Sequence, residues 1–426
     1  MAVNTSKELR NKVMYSIFVR QYSEEGTFEA LRKDLSRIRN LGTDIIWLMP
    51  IHPIGEVNRK GSLGSPYAIR DYRSVNPEFG TMEDFKRLVS DIHGLGMKCI
   101  IDVVYNHTSP DSVLAKEHPE WFYHKPDGSF GNKVGDWSDV IDLNYDQRQL
   151  WDYQIETLKR WTSIVDGFRC DVAPLVPLAF WLKAREETAK VKPDLLWLSE
   201  SVEPDFIREL RSRGVTCLSD SEIFQAFDVS YEYDVYSDFN AYLKGTGSLA
   251  EYAAALNRQE SIYPDNYVKL RFLENHDRER AASLIPDEKA LRNWTAFSYF
   301  QKGLTLLYNG QEAEDRNCPS LFDKDSVHWD TGHDLSSLTR ELYEIKKDPL
   351  FTDSDYRVKD AGNDVLVAVH SRGARKLVGI FSLKGKAPAA RVGLPDGAYR
   401  DILGKRSLEI KDGRIQTDRN PIILAL

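Results

Sequence analysis

The sequence predicts an α/β protein: a (β/α)8 TIM barrel with a small insert after strand three and a C-terminal antiparallel β-domain. Three observations predict it. Short β-rich runs alternate with amphipathic stretches over most of the chain, one intervening segment is far longer than the rest, and the texture changes after about residue 345. At 426 residues the chain exceeds one ordinary core and suits a barrel with a smaller domain.

The candidate barrel strands are Met14–Val19, Ile45–Leu48, Lys98–Val104, Gly167–Cys170, Leu195–Leu198, Ala226–Ser230, Val268–Leu273 and Leu304–Tyr308. Helical patterns lie between them, as in Phe28–Leu41, Met82–Leu95 and Leu150–Ile164. In the second, Met82, Phe85, Leu88, Val89, Ile92 and Leu95 recur at helical spacing. Leu41-Gly42 and Leu95-Gly96 read as helix stops. Between strands three and four, about Ser109 to Asp146, runs a stretch rich in Gly, Pro, Asp and aromatics. Loops of that length carry function when they occur in compact domains, and this one reads as a subdomain over the barrel's C-terminal mouth. The expected division is therefore barrel over 1–108, inserted subdomain over 109–146, barrel again over 147–345, and a β-sandwich domain over 346–426. In the last, Val365–His370, Lys376–Phe381, Ala389–Leu394 and Ile422–Leu426 are strand-like, and Asp412-Gly413 signals a hairpin.

A formal net charge of −8 and the absence of a long basic run argue against nucleic acid as a partner. The most apolar stretch, Ile45 to Ile51, is too short to cross a membrane. Met1 to Lys12 is polar and lacks the apolar segment of a secretion signal, so a cytoplasmic location is the expectation. Cys99, Cys170, Cys217 and Cys318 match no zinc or redox spacing and read as small hydrophobes. The sequence carries no signature of a particular oligomeric state.

Polar residues gather at the C-terminal ends of the candidate strands. Strand three runs Ile100-Ile-Asp-Val-Val-Tyr-Asn-His107, strand four Gly167-Phe-Arg-Cys-Asp-Val172, strand five ends at Glu200, and strand seven runs on to Glu274-Asn-His-Asp277. A barrel brings Asp171, Glu200 and Asp277 to one rim. Arg169 and Asp171, two apart, share a strand face. An adjacent arginine keeps Asp171 ionised, as a nucleophile must be, while like charges favour the protonated form of Glu200. One ionised and one protonated carboxyl is the arrangement that glycoside hydrolysis needs.

These blocks resemble glycoside hydrolase family 13, the α-amylase family, over most of residues 14–345. Asp102–His107, Gly167–Asp171, Glu200 after Trp197-Leu-Ser199, and Glu274–Asp277 resemble the family's four motifs, in order. Ser65–Tyr72 running on to Asn76–Gly80, Asp142-Leu-Asn144 and Tyr308-Asn-Gly-Gln-Glu312 also fit. The resemblance implies that Asp171 attacks the anomeric carbon, that Glu200 is the acid and then the base, and that Asp277 holds hydroxyls of the distorted sugar. It also implies that Arg169, His107 and His276 contact substrate or orient the nucleophile, and that Tyr67 is a stacking platform. The implied substrate is an α-1,4-glucan or maltooligosaccharide. A transglycosylase or sucrose-active relative uses the same carboxylates, and a non-catalytic binding protein would be expected to have lost one of them.

The chain also departs from the family. Val172-Ala-Pro-Leu175 follows the nucleophile position where many α-amylases carry Lys-His, a pair that helps bind the leaving-group side and supplies an oxygen to calcium. Ser65-Pro66 stands where His-Gly is common. No cofactor is required by the chemistry. Asn106 and Asp142 match two calcium-ligand positions, and two readings stand: a calcium site, or Asn106 simply tying the insert to the barrel. Trp121-Phe-Tyr123 and Trp137 are read either as sugar platforms or as the insert's own core.

Overall fold

The computed structural model describes residues 4–135 and 137–426. Met1–Val3, the start of the polar N-terminal stretch, and Asp136 of the insert lie outside the described residues. Eight parallel strands close a barrel: β1 (Val13–Ile17), β2 (Ile45–Leu48), β3 (Lys98–Val103), β4 (Gly167–Cys170), β5 (Leu196–Ser199), β6 (Val229–Tyr231), β7 (Lys269–Arg271) and β8 (Leu304–Tyr308). They neighbour one another in sequence order, with β8 returning to β1. Every residue of β1, β2, β4 and β5 is buried, as expected of parallel strands covered on both faces. Gly167 opens β4 because a Cβ there would meet the Leu196 carbonyl oxygen at 2.2 Å.

The expected strands match in place, with shifted ends. The seventh, expected over Val268–Leu273, shortens to Lys269–Arg271, and the amide of Phe272 donates to the Glu232 carboxylate (2.9 Å) instead of to a neighbouring strand. The helices Phe28–Asn40 and Met82–Gly94 are capped by Thr27 and by a Thr81–Asp84 capping box. Gly42 and Gly96 follow them at φ +95° and +73°, in the left-handed region that stops a helix.

At the base of the insert, His107–Thr108 pairs antiparallel with Ile141–Asp142, tying the segment to the end of β3. After the helix Ser336–Lys346 comes an eight-stranded sheet. Its spatial order is Asp355–Asp360, Val365–Arg372, Arg375–Ser382, Ile422–Ala425, Gly397–Asp401, Arg406–Lys411, Arg414–Gln416 and Ala389–Arg391. The two halves join through one pairing, Asp401 with Leu424. Val367, Val378 and Ile422 from one half share a buried core with Ala390, Ile410 and Ile415 from the other, so the sheet folds over on itself. The alternate residues Leu366 and Ala368 pack into the barrel's core, which fastens the domain to the barrel. Asp412 and Gly413, at φ +54° and +65°, form the expected hairpin turn. Among the described residues no helix is long and apolar enough to cross a membrane.

Candidate active site

The parallel ladder delivers the carboxylates to the mouth. The amide of Asp171 donates to the Val103 carbonyl (2.9 Å), and that of Glu200 to the Cys170 carbonyl (3.0 Å), so each acid stands one residue past its strand on the C-terminal side. Asp102 on β3 lies in register with Arg169 on β4. Arg169 is fully buried and is the centre of the arrangement. Its Nη1 donates to Asp171 Oδ1 (2.7 Å) and Asp102 Oδ1 (3.0 Å), and its Nη2 stands 3.0 Å from Glu200 Oε2. The Nη2–Glu200 contact is ionic, without the alignment of a hydrogen bond. The guanidinium is enclosed by the rings of Trp47, Tyr67 and Tyr231, at 5.2–5.6 Å.

Asp277 sits at the rim, its side chain 38% exposed, with Oδ2 at 3.1 Å from His276 Nε2. Tyr67 stacks on His276 (5.4 Å, 15°), and its hydroxyl lies 2.6 Å from the same Nε2 and 3.3 Å from Asp102. His107 is buried, 3.9 Å from Asp171 and 5.4 Å from the Trp137 ring. The sequence-derived residues Tyr67, His107, Asp171, Glu200, His276 and Asp277 line one cleft of about 460 Å³, with Arg169 beneath it.

Burial separates the acids. It pushes the Glu200 carboxyl up to about 8, with Asp171 and Asp277 adding to the rise and Arg169 opposing it. Burial likewise raises Asp171, to about 6, where the direct bond from Arg169 holds it below Glu200. Asp277 is lower than usual because its ion pair with His276 outweighs burial. Burial holds His107 down to about 4, so it is neutral. The site can therefore keep Asp171 ionised while Glu200 carries a proton.

Val172 adds strain at this point. It is a β-branched residue at φ +34°, in the left-handed region, and its amide donates to Glu200 Oε2 at 2.8 Å. A backbone conformation costing about 1–3 kcal/mol thus couples the two acids.

Sequence reasoning gave Asp102 no role. It is fully buried against Arg169 and Tyr67, and burial raises its carboxyl to about 6. The signal was present as a lone acid inside the apolar run Ile100–Val104. Lys60, Asp139, Glu203, Phe206, Arg278, Leu321 and Phe322 also line the cleft, and none belongs to a motif. Of the insert's aromatics, Trp121 and Phe122 are buried in a cluster continuous with the barrel's core, while Trp137 lines the cleft.

Asn106 and Asp142 are in contact with each other. Asn106 Nδ2 lies 3.4 Å from Asp142 Oδ1, and the second oxygen of Asp142 accepts the Lys133 amide (2.7 Å). Calcium takes six to eight oxygens. Among the described residues no group of three or more His, Cys, Asp or Glu side chains could hold a metal. Asn106 instead accepts the Leu143 amide on its carbonyl (2.9 Å), which ties the insert to the barrel.

Fold and site together define a (β/α)8 barrel with one acid on strand three and others after strands four, five and seven, around one buried arginine. The chain belongs to the alpha-amylase family. The family's alpha amylase catalytic domain matches residues 14–362, and the bacterial alpha amylase C-terminal domain matches residues 357–424. The crystal structure of an alpha-amylase from Lactobacillus plantarum is 50% identical, with a TM-score of 0.96 over 99% of this chain and 100% of that one. That of the noncanonic maltogenic alpha-amylase AmyB from Thermotoga neapolitana is 34% identical, with a TM-score of 0.87 over 98% and 99%. Alpha-amylase MalA from Haloarcula japonica is 27% identical over 409 residues, 91% of this chain and 57% of that protein. An alpha-1,4-glucan:maltose-1-phosphate maltosyltransferase from Salinibacter ruber is 36% identical over 221 residues, 45% of this chain and 33% of that protein. The chain thus spans little more than half the length of the first of these curated relatives and a third of the second.

Proposed function

We propose that the protein is a retaining α-glycoside hydrolase acting on α-1,4-linked glucans or maltooligosaccharides, starch among them. The observation that carries this reading is the pair Asp171 and Glu200 on adjacent nitrogens of one guanidinium, with Glu200 the weaker acid. Two carboxyls held that closely suit double displacement. An inverting pair stands about 6.5–9.5 Å apart to seat a water. Asp171 attacks the anomeric carbon while Glu200 gives its proton to the leaving oxygen, producing a β-glycosyl-enzyme. Glu200, now ionised, takes a proton from water, which attacks the same carbon and frees Asp171. Two inversions leave the product with the α configuration.

Asp277, His276 and Tyr67 are the groups proposed to hold the ring at the reacting carbon, and His107 to bind its hydroxyls as a neutral donor. Arg169 keeps Asp171 aimed and ionised. No step is routed through calcium at Asn106–Asp142, because two oxygen-bearing side chains fall short of the six to eight oxygens it takes. A cytoplasmic location remains the reading. It is supported by four free cysteines, three of them buried, which suit a reducing compartment.

A second reading, transfer to a sugar acceptor, is favoured by Val172, Val202 and Phe206, apolar residues that line the cleft with Glu200. Apolar groups on the acceptor side disfavour an ordered water and suit a sugar face. Incubation with maltoheptaose, starch and sucrose in parallel tests both. Short maltooligosaccharides with sucrose untouched support the hydrolase. Longer glucans, or fructose released from sucrose, support transfer.

A further inference from the structure

The barrel order fixes which part of a substrate meets which wall. Glu200 follows β5, and Val172, Val202 and Phe206 line the cleft with it, so a leaving portion protonated by Glu200 extends toward β5 and β6. The retained portion then lies toward the loops after β2, β3 and β8. Those three loops are joined to one another. Lys60 Nζ, from the loop after β2, meets Asp139 of the insert at 2.9 Å. The amides of Leu63 and Gly64 donate to the Phe322 carbonyl, from the loop after β8, at 2.9 and 3.1 Å. Ser62 donates through its amide and its hydroxyl to Asp323, at 2.7 and 2.8 Å. Buried Arg20 braces the join from behind, with Nη1 donating to the Gly64 carbonyl at 2.9 Å. Lys60, Asp139, Leu321 and Phe322 all face the cleft, whose volume of about 460 Å³ sits in the lower half of the roughly 300–1,000 Å³ typical of small-molecule pockets.

We propose that this joined wall closes the cleft, and that Lys60 and Asp139 bind the free hydroxyls of the chain's non-reducing end, so that cleavage proceeds from that end. The inference rests on the glucan-cleaving function proposed above. A terminal glucosyl unit offers a free 4-hydroxyl, which can accept from the Lys60 ammonium and donate to the Asp139 carboxylate. An internal unit carries another ring at that oxygen, and the ring would meet Leu321 and Phe322. Asp139 is largely buried (8% of its side chain exposed), and Lys60, 36% exposed, reaches it from the solvent side.

The test compares p-nitrophenyl α-maltoheptaoside with the same compound blocked by a 4,6-O-ethylidene group at its non-reducing end, with products resolved by chromatography. The wild-type protein should cleave the free compound at least 100-fold faster, and the double variant Lys60→Ala/Asp139→Ala should narrow that gap below tenfold. Circular dichroism checks that the variant is folded, and Lys60→Met, which keeps the stem, serves if it is not. Equal wild-type rates on both compounds, with mid-chain products, would overturn the inference. An undiminished gap in a folded variant would overturn the assignment to this pair. No cleavage of the free compound would instead overturn the glucan-cleaving function itself.

Discussion

Replacing Glu200 with glutamine should abolish the basic limb of the pH profile and leave the acidic limb in place. The magnitudes follow from the cleft. The active form has Asp171 ionised and Glu200 protonated, and burial places these titrations at about 6 and about 8. Below the first, Asp171 gains a proton and ceases to be a nucleophile. Above the second, Glu200 loses the proton it must donate. With single titrations, kcat/KM at pH 5 and at pH 9 is each roughly one-tenth of its value at pH 7. Glutamine preserves the acceptor for the Val172 amide (2.8 Å), so the strained turn should survive. The lost proton donor should cost about 10²–10⁴ in rate, or roughly 3–5 kcal/mol. The assay is kcat/KM from pH 4 to 10 on maltotetraose, and on a 2,4-dinitrophenyl α-maltoside whose leaving group needs no proton. The deficit should be much smaller on the second. A basic limb persisting in the glutamine variant, or its absence between pH 6 and 9 in the wild type, would refute the assignment of Glu200.

Other perturbations bear on the same cluster. Asp171→Asn retains a carbonyl oxygen for Arg169 and removes one negative charge from a crowded cluster of buried acids. Its melting temperature should be unchanged or higher while turnover falls by at least roughly 10⁴-fold, and near-normal turnover would end the nucleophile assignment. Arg169→Met leaves Asp102, Asp171 and Glu200 without their shared cation. Urea unfolding at pH 7 should show a loss of about 3–5 kcal/mol, and unchanged stability would contradict the account. Treatment with EDTA should shift the melting temperature by less than about 1 °C, since Asn106 and Asp142 satisfy each other and nearby backbone; a larger fall reversed by calcium would contradict that pairing.

The barrel was legible because its strands are buried on both faces, so they read as apolar runs between helices closed by Gly42 and Gly96. The acids were legible because each stands just past such a run. Asp102 was harder to see: a lone acid inside a strand acquires meaning only when the register places it beside Arg169. The wall of Lys60, Asp139 and Phe322 left no trace in the sequence, since it depends on three distant loops meeting. The C-terminal strands were visible as short strand-like runs between turn signals, yet the fold of one sheet onto itself rests on Asp401 pairing with Leu424, which no local pattern encodes.

The most direct test of the central claim is the anomeric configuration of the first product. Proton NMR during the first minutes of maltotetraose cleavage resolves the new reducing end before mutarotation mixes the anomers. The account predicts that the α anomer appears first and relaxes toward the equilibrium mixture. Initial release of the β anomer would mean a single displacement by water, and Asp171 would not be the nucleophile.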